Sequence, residues 1–117
     1  MSDIKRIAII TNYNIQEKLR AAMKVAEQLC EFVNEIYIPE TYRDRIMRAR
    51  MHRTEFSYKP LDEIYQSTDL IVGIGGDGVM LEAARRATPA GIPILGINMG
   101  RIGYTAKLLY YFRHIFQ

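Results

Sequence analysis

The chain has no tryptophan and one cysteine, Cys30. A lone thiol cannot close an internal disulfide, so the fold must rest on its core. Cys30 falls within a helical pattern and reads as a small core filler in a reducing compartment. No apolar run approaches the ~18 residues that a membrane helix needs. The opening MSDIKRIAII lacks the long apolar segment and small-residue cleavage site of a secretory leader. A cytoplasmic protein with no membrane partner is therefore expected. Internal repeats and low-complexity tracts are missing. Charge is not extreme either, with 16 Lys+Arg against 13 Asp+Glu for a net charge of +3. That balance suits small anionic ligands and, without a clustered patch, gives no ground for nucleic acid.

What is present fits one small domain, with 49% hydrophobic residues to fill its core. RIAIIT (6–11) is a short β-branched run typical of a strand buried on both faces. The next stretch spaces Leu19, Ala22, Met23, Ala26, Cys30 and Val33 as one helical face, and Asn14 with Glu17 reads as a capping box. EIYIP (35–39) reads as a second strand, completing a βαβ unit with a parallel crossover. Residues 40–60 are rich in arginine (Arg43, Arg45, Arg48, Arg50, Arg53). They fit a solvated helix or loop, a basic flap over an anionic ligand, or a polynucleotide contact. LDEIYQS (61–67) reads as a short helix, DLIVGIG (69–75) as a buried strand, VMLEAARRAT (79–88) as a helix and IPILGIN (92–98) as another strand. The expected fold is a three-layer α/β sandwich around a mostly parallel sheet of about four strands.

Both glycine-bearing segments then fall at the carboxyl ends of parallel strands, where open α/β sheets bind ligands. Gly73-x-Gly75-x-x-Gly78 matches the dinucleotide fingerprint G-x-G-x-x-G, but a Rossmann site expects an acid about 20 residues on. That position is near Asn98, where ILGINMG offers no carboxylate. No Walker sequence G-x-x-x-x-G-K-[ST] occurs, nor H-R-D or D-F-G. What remains is Gly75-Gly76-Asp77-Gly78. An aspartate there can simply cap the helix. Beside phosphates it is tolerable if it binds a bridging cation or takes a proton from an attacking hydroxyl. Both roles belong to phosphoryl transfer to an alcohol.

GGDG, the helix LEAARR and PILGINMGRIGYTA together closely resemble the N-terminal domain of bacterial NAD kinases. The likeness is carried by residues 69–106; over 1–68 only the α/β pattern matches. The resemblance implies transfer of the γ-phosphate of ATP, or of polyphosphate in some members, to the 2′-hydroxyl of the adenosine ribose of NAD. It makes Asp77 the general base on that hydroxyl, with Mg²⁺ or another divalent cation bridging phosphates. Gly75, Gly76 and Gly78 become the close-approach loop, and Met80 and Leu81 line the nucleotide pocket unless they belong to the core. Asn98, Gly100 and Gly103 match the second loop. Tyr104 takes the aromatic position near NAD, or else caps the core with its hydroxyl in water. Homo-oligomers are expected from the same likeness.

Departures accompany the match. Val79 stands where the family usually has threonine, removing a hydroxyl that can bond phosphate. Thr105 and Lys107 replace a hydrophobic or aromatic residue and an acid. The all-β domain that follows in the family is not in this sequence, so residues 1–106 are read as the nucleotide-binding domain. Residues 107–117 are read as an atypical apolar, basic tail. The tail fits a covering helix, an aberrant end, a membrane-surface segment or an oligomer contact. Two functions stay open: an NAD kinase-like phosphotransferase, or a truncated, inactive nucleotide-binding module.

Overall fold

A computed structural model describes residues 4–98 and 112–116. The strands are β1 (Arg6–Ile10), β2 (Glu35–Pro39), β3 (Phe56–Lys59), β4 (Leu70–Ile74) and β5 (Ile94–Ile97). The helices are α1 (Gln16–Leu29), α2 (Arg43–Arg48), α3 (Leu61–Ser67) and α4 (Asp77–Ala87). Among the described residues the strands form one sheet in the order β3-β2-β1-β4-β5, and every pairing is parallel. The fold is the α/β sandwich read from the sequence.

Alternate strand residues face opposite layers, as the pleat requires. Ile7, Ile9, Ile36, Ile38, Val72 and Ile74 face α1 and meet Leu19, Val25 and Leu29 in the larger core. Ala8, Tyr37 and Ile71 face the other way, against Ile64 and Tyr65 of α3 and Ala83 and Ala87 of α4. Where β1 and β4 begin, Asp69 fastens the pair, its carboxylate accepting the Lys5 and Arg6 N–H groups at 2.9 Å each.

Two local details differ from the sequence reading, and a third narrows it. Ile15 occupies the N-cap of α1 and no side chain caps it. The Asn12 side-chain Oδ1 instead accepts the Asn14 N–H at 3.1 Å, so an Asx turn before the helix replaces the expected capping box. The arginine-rich segment holds α2 and a fifth strand, β3, which among the described residues pairs with β2 alone. Ile46 of α2 is fully buried and Phe56 of β3 nearly so, which draws this charged stretch onto the sheet. In the tail, residues 112–115 are helical. Phe112 is fully buried in the larger core, and Phe116 stacks on Phe32 with ring centroids 5.0 Å apart. Cys30 packs at the margin of that core, where burial pushes its thiol pKa up, toward an unreactive thiol.

Candidate functional site

The chain runs outward from β1 through β2 to β3, then returns to the far side of β1 as β4. The carboxyl ends of β1 and β4 therefore meet where the strand order reverses, which is where open α/β sheets leave a crevice. Two hydrogen bonds set the glycine turn there. The buried Thr11 hydroxyl donates to the Ile74 carbonyl at 2.7 Å, tying the end of β1 to the end of β4. The Gly75 N–H donates to the Ile97 carbonyl of β5 at 3.1 Å.

The glycines of the motif have separate reasons. Gly73 and Gly96 are register partners on β4 and β5. A Cβ on Gly73 would meet the Met80 sulfur at 2.8 Å, and one on Gly96 would meet its terminal methyl at 2.6 Å. The pair is thus a slot in the sheet for the Met80 side chain. The first glycine of the apparent dinucleotide fingerprint is a packing residue, consistent with setting the Rossmann reading aside. Gly75 has a φ of 148°, which residues with a side chain rarely adopt, and a Cβ there would lie 3.0 Å from Val79 Cγ2. Among the described residues nothing lies within 4 Å of a Cβ added to Gly76 or Gly78. Their backbone can be approached closely from outside.

Gly76 is the N-cap of α4, and no side chain caps the helix. Asp77 is the first helical residue, one position beyond the N-cap, so it does not take the plain capping role also open to it in the sequence. Its carboxylate is exposed and makes no hydrogen bond or ion pair with a described residue. The first N–H groups of α4 lack intrahelical acceptors, and the helix dipole adds positive potential there. Uncapped donors with an unengaged carboxylate beside them make a place where an anion and a proton acceptor are available together. Among the described residues no group of three or more His, Cys, Asp and Glu could hold a metal. A single carboxylate suits Mg²⁺ that arrives with phosphates, because that ion keeps several waters and needs only one or two protein carboxylates.

A cleft of about 350 Å³ opens beside the turn, lined by Thr11, Asn12, Tyr42, Tyr65, Gly78 and Glu82 among others. An adjoining hollow of about 320 Å³ shares Tyr42 and Leu61 and extends to Pro39 and Pro60 at the ends of β2 and β3. Gly78, Glu82 and Arg86, one turn apart, put a single strip of α4 against the cleft. Asp77 and Leu81 occupy a different strip, and Leu81 is 73% exposed. At the rim, Glu82 accepts Arg85 at 2.7 Å and Arg86 at 2.9 Å, bonds that hold its carboxyl below the usual range. The Arg86 guanidinium also stands over the Tyr65 ring at 6.0 Å.

The structure thus brings Gly75, Gly76, Asp77 and Gly78 together at the switch point, with Met80 seated on the sheet and Leu81 outside. Asn98 is exposed just past β5. Gly100, Gly103 and Tyr104 lie outside the described residues. Sequence reasoning missed Thr11, Asn12 and the two tyrosines of the cleft. Arg45 of the supposed flap is engaged, donating to the Tyr13 carbonyl at 3.3 Å and to Gln16 at 2.7 Å.

The chain is similar to known proteins over most of its length. Over 105 residues the chain is 32% identical to the NAD kinase of Thermoanaerobacter sp. (strain X514), covering 90% of this chain and 35% of that protein. It is 35% identical over 102 residues to the NAD kinase of Aromatoleum aromaticum (strain DSM 19018 / LMG 30748 / EbN1), covering 87% and 33%. The chain therefore spans about a third of the length of these curated relatives. A family model described as the ATP-NAD kinase N-terminal domain matches residues 7–117. The chain belongs to that family.

Proposed function

We propose that this domain binds NAD and an ATP or polyphosphate donor at the glycine turn and takes part in phosphorylating the 2′-hydroxyl of the adenosine ribose, yielding NADP. The observation that carries the reading is Asp77: an exposed, unengaged carboxylate at the uncapped start of α4, in a chain of this family. Asp77 accepts the proton of the attacking hydroxyl, and the N–H groups of the turn hold phosphate oxygens. Mg²⁺, when bound to the donor's phosphates, would neutralise their charge. The cleft on the Gly78–Glu82–Arg86 strip is roomy enough for part of a nucleotide. Leu81, Met80, Asn98, Gly100, Gly103 and Tyr104 belong to the NAD side in this reading. The reaction is cytoplasmic, and copies of the chain associate.

Val79 favours a second reading, nucleotide binding without turnover, since it withdraws a hydroxyl from the phosphates. Titration of NAD and of ATP with Mg²⁺ into the chain, beside an assay for NADP, separates the two. Under the first, NADP forms and Asp77→Asn lowers the rate by at least about 10²-fold while both nucleotides still bind. Undiminished activity in Asp77→Asn would remove the base assignment. Binding with no NADP from the unaltered chain would establish the second reading.

A further inference from the structure

Lys18 belongs to no motif. It sits in the first turn of α1, remote in sequence from the glycine turn and across the sheet from α3 and α4. Yet its Nζ lies 3.7 Å from the point a Cβ on Gly75 would occupy, and Val79 Cγ2 lies 3.0 Å from that same point. The ammonium and the valine thus flank one spot at the turn. Lys18 is half-buried and makes no hydrogen bond or ion pair with a described residue. The arginines nearby differ: Arg45 is bonded to Tyr13 and Gln16, and Arg86 faces Glu82 and Asp62. An ammonium that no described protein group engages is available to an anion arriving at the turn.

We propose that Lys18 is the phosphate-binding cation of the glycine turn and stands in for the hydroxyl that Val79 withholds. The proposal rests on the reading of the turn as a phosphate site. An ammonium at this position meets phosphate oxygens from the α1 side while the N–H groups of α4 hold them from beneath. An ammonium brings a full positive charge to the phosphate, where a threonine hydroxyl would bring a neutral donor. Lys18 touches bound phosphate and moves no proton.

The probe is sodium tripolyphosphate, with ATP beside it, titrated calorimetrically into the full chain. The unaltered chain should bind both. Lys18→Met keeps the length of the stem and removes the charge, so its affinity should fall about tenfold or more, the loss of one charged hydrogen bond. Its thermal midpoint should not move. Lys18→Arg should keep most of the affinity, and adding Val79→Thr to Lys18→Met should restore part of it. Lys18→Gln gives the same reading if methionine disturbs the fold. Tripolyphosphate binding that is equal in Lys18→Met and the unaltered chain overturns the role of Lys18 and leaves the phosphate site standing. Failure of the unaltered chain to bind either probe overturns both.

Discussion

The two faces of the sheet differ in what fills them. On the α1 face, branched strand residues interlock with Leu19, Val25 and Leu29, all fully buried. On the α3/α4 face the strands offer Ala8, Tyr37 and Ile71, and the helices answer with Ile64, Tyr65, Ala83 and Ala87. This is the smaller of the two buried clusters, and the cleft beside the glycine turn opens on its side of the sheet. One face supplies most of the apolar burial that holds the fold; the other holds the open site. Changes on the two faces should therefore be separable in experiment. A Leu19→Ala change tests the first half of that statement. It should cost about 2–5 kcal/mol, the range for a buried leucine that leaves a cavity. Against a total of about 5–15 kcal/mol for a domain, that is a severe loss. Urea denaturation measures it, and a cost no larger than that of an exposed residue would break the comparison.

The glycine turn joins the faces, and there backbone conformation decides the size of the effect. Gly75→Ala puts a side chain at a φ of 148° and presses it against Val79. It should destabilise the domain by about 1–3 kcal/mol. Gly96→Ala should be milder despite a closer contact, since the atom it meets is the mobile end of Met80. Thermal melts of the two variants side by side check that order.

This split between faces was only partly legible in the sequence. β1, β2, β4 and α3 could be bounded almost to the residue, because continuous β-branched runs and Pro60 mark them without tertiary help. β3 was not, because Phe56-Ser-Tyr-Lys59 is four residues at an edge, preceded by charges that suit a surface loop equally well. Gly73 stood in the sequence only as the first glycine of the apparent dinucleotide fingerprint and Gly96 only as part of a strand run. Their register shows a shared slot for Met80. Of the site, Asp77 and its flanking glycines were readable because they are contiguous. Thr11, Tyr42, Tyr65 and Lys18 were not, since only the ordering of parallel strands carries these distant segments to one place. Local pattern reports what a segment prefers; it does not report which other strand will end beside it.

Tyr13 offers a probe of the thick face through pH. It is fully buried, and its hydroxyl donates to the Ile9 carbonyl at 2.7 Å. Burial, then the nearby Tyr42 and Tyr58, hold its pKa well above the ordinary tyrosine value. An unfolded tyrosine loses its proton near pH ~10 while the native one keeps it, so above that pH the unfolded state binds fewer protons. Stability should be intact below pH ~10 and fall as pH rises beyond it. Tyr13→Phe should cost about 1 kcal/mol near neutrality through the lost hydrogen bond, and should make the alkaline fall shallower. Tyr58 and Tyr65 are also raised by burial, so the fall should not vanish. Urea midpoints near neutrality and at pH ~11 decide it. Equal slopes for the variant and the unaltered chain would mean that Tyr13 ionises freely.

The smallest expected effect on stability is the most informative about the thin face. Gly78 is the second residue of α4, its φ is ordinary, and an added Cβ meets no described residue within 4 Å. Neither strain nor crowding asks for glycine there. By helix propensity alone, Gly78→Ala should stabilise the domain by about 0.5–1 kcal/mol. Yet Gly78 lines the cleft beside Asp77. If its bare backbone is what lets phosphates come close, the same methyl group should weaken tripolyphosphate and ATP binding while the melting midpoint rises. Stability and affinity would then move in opposite directions from one carbon atom, which a role in the fold cannot produce. Should affinity hold while stability rises, the close-approach function would be confined to Gly75 and Gly76. The cleft would then need an occupant whose contacts lie farther from the turn, toward Tyr42 and Tyr65.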